Sequence, residues 1–290
     1  VTDKNSDVKE DVIIKVEFSD IDIVQVDLQN NTKLCNEMFN FTEKLNSLEI
    51  RSDNVQEIET SFLTNVEFID SLTIYNGKIT TIRRHTFKNL KVVFLRLLIC
   101  SIEVIENEAF VDLEGLTDLN LFNNSLTRFN PASFKNLPQL RSLQFEHNKI
   151  THLEKNSFRF LTRNRTQCRF SFNRIRKLDR NVFSGLTVEY LSIYLEDNFI
   201  NDLPVGIFQG HTFTAINLRS NSLKQVSEKF FEGHFEIQEF VLSFSHLYQD
   251  TLMRFVLWSV KNNIHLVSCS SRKSTGISLI AISFILKWLL

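Results

Sequence analysis

At 290 residues, with a charged fraction of 23% and a hydrophobic fraction of 43%, the chain can bury a substantial core and reads as globular. A formal net charge of -1 excludes bulk attraction to nucleic acid or anionic lipid as the basis of function. Twenty-seven phenylalanines stand against 7 glycines and 3 prolines, so something periodic must form the turns; four cysteines are too few to scaffold a chain of this size.

The chain begins at Val1, which fits either a removed signal peptide or a trimmed end. Residues 12–18 alternate apolar and polar side chains, the pattern of a capping strand, and Val26, Leu28 and Asn31 with Phe41 read as a degenerate repeat. Residues 1–44 are therefore expected to form an N-terminal cap.

From residue 45 to residue 247 the pattern L-x-L-x-x-N-x-L recurs nine times, at steps of 23 to 25 residues. The quartets run from Leu48/Ile50/Asp53/Val55, through units such as Leu119/Leu121/Asn124/Leu126, to Phe240/Leu242/Ser245/Leu247. Eight residues beyond each quartet stands Leu63, then Phe87, Phe110, Phe134, Phe158, Phe183, Phe208, Phe231 and Phe255. With Phe at about one position in eleven, such a column arises by chance on the order of once in a million, so the phenylalanine excess is largely structural.

The geometry of one unit explains the pattern. In L-x-L the alternate residues of a short strand face inward while the x residues face out, and no single unit can bury its inward side alone. Units stacked in parallel roughly 4.8 Å apart give a continuous sheet over a continuous core, with the Phe column on the opposite, convex side. Each inward Asn (Asn124, Asn148, Asn173, Asn198, Asn221) can satisfy backbone groups left unpaired where the chain bends. Asp53, Gly77, Cys100 and Ser245 offer less at that place, so the first three repeats are expected to be less regular. The expected fold is an α/β solenoid: a horseshoe of about nine repeats plus caps, with a parallel β-sheet on its concave face.

Residues 248–268 read as a C-terminal capping region in which Asp250 caps a helix carrying Leu252, Phe255, Val256 and Val260 on one face. Residues 269–290 form a polar spacer and a tail that is apolar apart from Lys287. A helix over residues 277–290 would run roughly 21 Å, short of the ~30 Å hydrocarbon core. Ser268, Cys269 and Ser270, a short polar stretch through Gly276 and the apolar end resemble a lipid-anchor (GPI) signal; a docked hydrophobic helix and a truncated span are the alternatives.

The 24-residue step with its inward Phe, carried by stretches such as ITTIRRHTFKNL and LTDLNLFNNSLTRFNPASFKNLPQL, resembles the typical class of extracellular leucine-rich-repeat proteins. The likeness is strongest to insect members: mosquito leucine-rich-repeat immune proteins, Toll-type ectodomains, connectin and chaoptin. It implies a non-catalytic extracellular protein, secreted or held at the cell surface, whose partner is another protein such as an immune effector or a second leucine-rich-repeat protein. The chain departs from these families in lacking their cysteine-rich caps and the long C-terminal coiled coil of the larger mosquito members. Fold is the secure implication, because sites are grafted onto such scaffolds.

Catalytic motifs are missing from the sequence: no G-x-S-x-G, H-E-x-x-H, phosphate-cradling glycine loop or C-x-x-C occurs. No enzyme activity, cofactor or metal is expected, and Glu146 beside His147 reads as surface rather than as an acid-base pair. Cys100 and Cys168 fall in inward columns three repeats apart, roughly 14 Å by strand spacing, too far for a disulfide. Cys35 and Cys269 lie at opposite ends of the array. They are candidates for an intermolecular disulfide, as in the linked immune heterodimers the sequence resembles, or for unpaired thiols. Asn30, Asn40, Asn123 and Asn164 begin glycosylation sequons, about as many as chance supplies.

The outward residues of the sheet are the candidate binding surface. They include Arg51, Tyr75, Arg96, Leu98, Phe122, Glu146, Arg169, Tyr194, Glu196 and Arg219, with His147 and Phe172 one place further on. Aromatics and arginines mixed with both charge signs suit a protein interface better than a polyanion groove, and no nucleic acid partner is expected; scattered solvated side chains are the alternative. Membrane attachment is expected only through the C-terminal tail.

Overall fold

In the computed structural model, residues 23–28, 31–39, 44–233 and 235–268 are described. Eleven strands form one parallel sheet in strict chain order, the topology of a solenoid. They are β1 (Ile23–Asp27), β2 (Leu45–Arg51), β3 (Ile69–Tyr75), β4 (Val92–Leu98), β5 (Asp118–Asn120) and β6 (Ser142–Gln144). Then come β7 (Gln167–Arg169), β8 (Leu191–Tyr194), β9 (Thr212–Asn217), β10 (Glu236–Leu242) and β11 (His265–Ser268).

The register follows the repeat. Leu48, Leu72, Leu95, Leu119, Leu143, Cys168, Ile193, Ile216 and Phe240 pair in sequence across the sheet. Every one of these side chains is fully buried, in one core shared by all repeats. The alternation of L-x-L thus separates an inward apolar face from an outward one, and a slip of one residue would invert both.

On the convex side the phenylalanine column stacks as expected. Phe87 and Phe110 lie 5.4 Å apart at 9°, Phe110 and Phe134 5.6 Å apart at 16°, and Phe158 and Phe183 5.4 Å apart at 17°. Two-residue parallel bridges such as Phe87–Lys88, Phe110–Val111 and Phe134–Lys135 line that side. One position differs: the 3-10 turn Glu228–Glu232 buries Phe230, and Phe231 is only partly covered. The tighter period of a 3-10 turn shifts the inward place by one residue.

The asparagine ladder joins each repeat to the one before. Asn148 Oδ1 accepts the Leu126 N–H at 3.0 Å, while its Nδ2 donates to the Leu121 and Phe145 carbonyls at 3.0 and 3.1 Å. Asn124, Asn173, Asn198 and Asn221 repeat the arrangement.

The early repeats, which lack this asparagine, are not the less regular part. Strands β2, β3 and β4 each run seven residues, against three in β5, β6 and β7. Other groups take over there: the Ser52 hydroxyl donates to the Tyr75 carbonyl at 3.0 Å, and the Cys100 thiol to the Ile74 carbonyl at 3.4 Å. The register shift in the sheet falls instead between Leu191 and Ser192, where β9 carries an extra residue against β8.

Both ends of the array correct the sequence reading. At the N-terminus Val24 and Val26 pair with Leu48 and Ile50, two residues before the expected Val26/Leu28 register. A slip of two keeps the same face inward, so alternation alone does not distinguish the two registers. Phe39, meeting Phe62 edge-on at 5.6 Å, fills the column there; Phe41 and residues 12–18 lie outside the described residues.

At the C-terminus α1 (Gln249–Lys261) has Tyr248 at its N-cap, with Asp250 inside the first turn. Its covered face carries Thr251, Phe255, Val256, Trp258 and Ser259, whereas Val260 is 58% exposed. The helix then leads, through left-handed Asn263, into β11, so sheet pairing runs on past Leu247 to Ser268. Among the described residues no helix is long and apolar enough to cross a membrane.

Candidate functional site

The outward residues form columns that cross the strands. The first contains Glu49, Thr73, Arg96, Asn120, Gln144, Arg169, Tyr194 and Asn217, paired strand to strand. Two residues further along each strand comes a second column: Arg51, Tyr75, Leu98, Phe122, Glu146, Ser171, Glu196 and Arg219. Seven strand spacings from Arg51 to Arg219 span roughly 34 Å along the sheet. The candidate residues therefore share one face but do not converge on one point.

A third column follows one residue later, where the chain leaves the sheet. Asn76, Ile99, Asn123, His147, Phe172, Asp197 and Ser220 all take left-handed backbone, with φ between 53° and 61°. Asn and Asp tolerate that region, while a β-branched or bulky side chain there is an outlier that costs stability. One left-handed column on the convex side holds Asn89, Asp112 and Asn136, the inexpensive choices, while Ser61, His85 and Glu108 are left-handed at another place in the repeat. The concave column carries Ile99 and, beyond Asn123, His147 and Phe172 in neighbouring repeats.

Those three side chains build an exposed stripe with Phe122. His147 stacks on Phe172 at 4.4 Å with the planes 11° apart, and meets Phe122 at 4.9 Å. Ile99 and Phe172 are each 48% exposed and Phe122 36%, which keeps their apolar faces available. Sequence reasoning missed Ile99, although it holds the same repeat position as His147 and Phe172.

Beside the stripe, the Arg169 guanidinium lies 4.7 Å over the Tyr194 ring and donates to Gln167 Oε1 at 3.1 Å. Between the two, Glu146 and Glu196 flank Ser171, which is 3% exposed, and one oxygen of each carboxylate is buried with no hydrogen-bond partner. Burial raises the Glu146 pKa above its ordinary value and the Glu196 charge adds to this, against its own backbone N–H and Arg169.

The remaining candidates are tied into the sheet surface. Arg96 donates to Ser71 Oγ at 2.6 Å and lies over Phe94, and Arg51 pairs with Asp53 at 3.0 Å. Tyr75 and Leu98 are half-buried between them. Asn123 and Asn164 are exposed, although Asn164 Oδ1 accepts the Glu189 N–H at 3.0 Å; Asn30, Asn40 and Cys269 lie outside the described residues. Asn123 sits within the stripe, between Ile99 and His147.

Cys100 and Cys168 are buried free thiols, with burial pushing the Cys100 pKa up to about 12 and that of Cys168 upward as well. Cys35 is half-buried, and its sulfur lies with carboxylate oxygens of Glu37 and Glu59 in a group spanning at most 4.8 Å. One thiol and two carboxylates are a chemically reasonable cation donor set. Glu59 is also engaged by the Asn36 N–H at 2.7 Å. A cavity of about 950 Å³ lies between α1 and the last strands, lined by Tyr190, Glu236, Val256 and His265 among others, and none of the candidate concave residues borders it.

The sequence matches the leucine rich repeat family over residues 94–150 and 123–165. It matches the BspA type leucine rich repeat region, in six copies, over residues 11–117 and 160–254, which is more than half of the chain. The chain belongs to the leucine-rich-repeat family. No curated protein matches it significantly in sequence.

Among solved structures this leucine-rich-repeat chain is similar to one in the Drosophila Toll–Spatzle complex, with a TM-score of 0.57 at 16% identity over 78% of its length. It spans about a third of that chain, 31%. It is also similar to human 5T4 (Wnt-activated inhibitory factor 1, trophoblast glycoprotein), with a TM-score of 0.56 at 18% identity, covering 80% of this chain and 91% of that one. At these identities the likeness is one of fold.

Proposed function

We propose that the protein is a non-catalytic extracellular recognition protein that binds another protein through the concave face, centred on Ile99, Phe122, His147 and Phe172. The observation that carries this reading is the left-handed column. The repeat favours left-handed backbone at that place, Asn, Asp and His satisfy it cheaply, and the chain instead spends stability to hold Ile99 and Phe172 toward solvent. Rigid aromatics on a strand-built scaffold, flanked by Arg169 and Tyr194, have the composition of interface anchors.

A role in innate-immune recognition or scaffolding, of the insect type the sequence resembles, is the finer part of the proposal. Its support is the fold shared with Toll, whose complex with Spatzle is described as a molecular hub in Drosophila development and innate immunity. Secretion and attachment by the C-terminal tail are the two forms of the proposal. Release from cells by a phosphatidylinositol-specific phospholipase marks the attached form; protein free in the extracellular fluid marks the secreted one.

The test is affinity capture from native extracellular fluid with the full chain and with a Phe122→Ala/Phe172→Ala variant side by side. The reading expects a protein held by the first and lost by the second; equal capture contradicts it. A glycan on Asn123 would stand inside the stripe, so we propose that this sequon is unused in the binding protein. Peptide mapping that finds Asn123 occupied in partner-bound material contradicts that.

A further inference from the structure

Three features of the concave face meet at one place that the family relationship does not account for. Glu146 and Glu196 stand two strands apart in the second column, roughly 10 Å between their Cα atoms by strand spacing. Ser171 between them is small and only 3% exposed, so the larger side chains around it form the surface there. The stacked His147 and Phe172 lie on one side of this place, and Tyr194 with Arg169 on the other.

The carboxylates are not satisfied within the chain. One oxygen of each is buried without a hydrogen-bond partner, an arrangement that costs free energy unless something else completes it. Arg169 is the neighbouring cation, but its guanidinium is turned to Gln167 and stacked on Tyr194. Arg219 follows Glu196 in the column but makes no ion pair with that carboxylate, and Asp197 adds a third negative charge beside it. Three carboxylates against two arginines leave the place electronegative, with aromatic walls.

We propose that Glu146 and Glu196 receive an arginine side chain of the bound protein across Ser171, so that the partner presents a basic residue next to an apolar contact on Phe172. This rests on the concave-face reading above and specifies the partner's chemistry. A guanidinium supplies planar N–H donors to a carboxylate on either side and stacks on an aromatic wall, which suits this geometry better than a lysine ammonium. Burial that favours the protonated form of Glu146 in the free protein is relieved when a cation arrives.

The experiment uses a cyclic-peptide display library selected on the full chain, with binders re-measured on Phe172→Ala and on Glu146→Gln/Glu196→Gln. The expected result is that binders sensitive to Phe172→Ala carry an arginine, and lose about tenfold or more in affinity both on the double glutamine variant and when that arginine becomes glutamine. Binders that need Phe172 but lack a basic residue, or ignore the double variant, overturn the arginine slot while leaving the concave face standing. A selection without any Phe172-dependent binder counts against the concave face itself. Thermal melting of Glu146→Gln/Glu196→Gln separates binding from structure: the proposal expects a Tm equal to or above the parent, and a lower Tm assigns the glutamates to the fold instead.

Discussion

His147 stacks on Phe172 at 4.4 Å with the ring planes 11° apart, and both residues are left-handed, at φ 55°. Neighbouring repeats thus use the same strained position to build one continuous aromatic surface. The strain and the surface have a single origin in the turn that ends each strand.

If strain at that turn is accepted for the sake of the surface, relieving it should stabilise the fold. Ile99→Asn and Phe172→Asn are each expected to raise stability by about 0.5–1 kcal/mol, read as a higher denaturation midpoint at unchanged m. Both side chains are half-exposed, so little buried apolar area is lost in exchange. A lower midpoint for both variants would show that these side chains support the fold.

The asparagine ladder makes the opposite prediction. Asn173→Ala removes the acceptor of the Ile150 N–H and the donor to the Phe145 and Phe170 carbonyls, all buried. The expected loss is about 2–4 kcal/mol in urea denaturation, since buried polar groups are left unpaired. Restoring the asparagine with Gly77→Asn should not help. A Cβ there lies 3.0 Å from the Ser52 hydroxyl, which already bonds the Tyr75 carbonyl.

Much of this was legible in the sequence because a solenoid repeats its signal. Leu119 and Leu143 occupy the same rung for the same reason, and the nine-fold pattern placed the strand, asparagine and phenylalanine columns of the core, although buried residues between them such as Leu90, Leu113, Leu140 and Leu161 fell outside it. Where the signal is not repeated, reading failed. The Val24/Val26 pair was displaced by two residues, which preserves alternation, and β11 was hidden behind a helix whose Trp258 and Ser259 turn inward in place of Val260. Of the candidate site, the outward columns followed from alternation; the left-handed turn and the burial of Ser171 between Glu146 and Glu196 are backbone and packing facts that no residue pattern announces.

Thiol chemistry offers a check on the core. Burial holds the Cys100 pKa at about 12 and raises that of Cys168, so both should resist iodoacetamide at about pH 8 in the folded protein and react on unfolding. Mass spectrometry of labelled peptides reads this directly. Rapid native labelling of Cys168 would mean that its strand is open to solvent.

Acid stability carries the mark of Glu108 on the convex side. Hydrogen bonds from Arg84 and Lys135 hold its pKa at about 2, below the ordinary 4.5, with His85 at 3.3 Å. The folded state binds fewer protons than the unfolded chain in that window, so the contribution is full above pH 4.5 and disappears as the pH falls toward 2. The pH dependence of stability should be shallower in Glu108→Gln over this range, and shallower in the parent at high salt, which screens exposed charges. A Glu108 carboxyl found by NMR to titrate near 4.5 would contradict the network.

The most direct test of the concave-face account compares the affinity of the captured partner for the parent chain, for Phe122→Ala/Phe172→Ala, and for Val104→Ala, which removes an exposed side chain outside the stripe. The account predicts a loss of about tenfold or more for the first variant, with its melting temperature unchanged, and no loss for the second. Unchanged affinity in Phe122→Ala/Phe172→Ala, with weakened binding in Val104→Ala, would place the interface elsewhere on the solenoid.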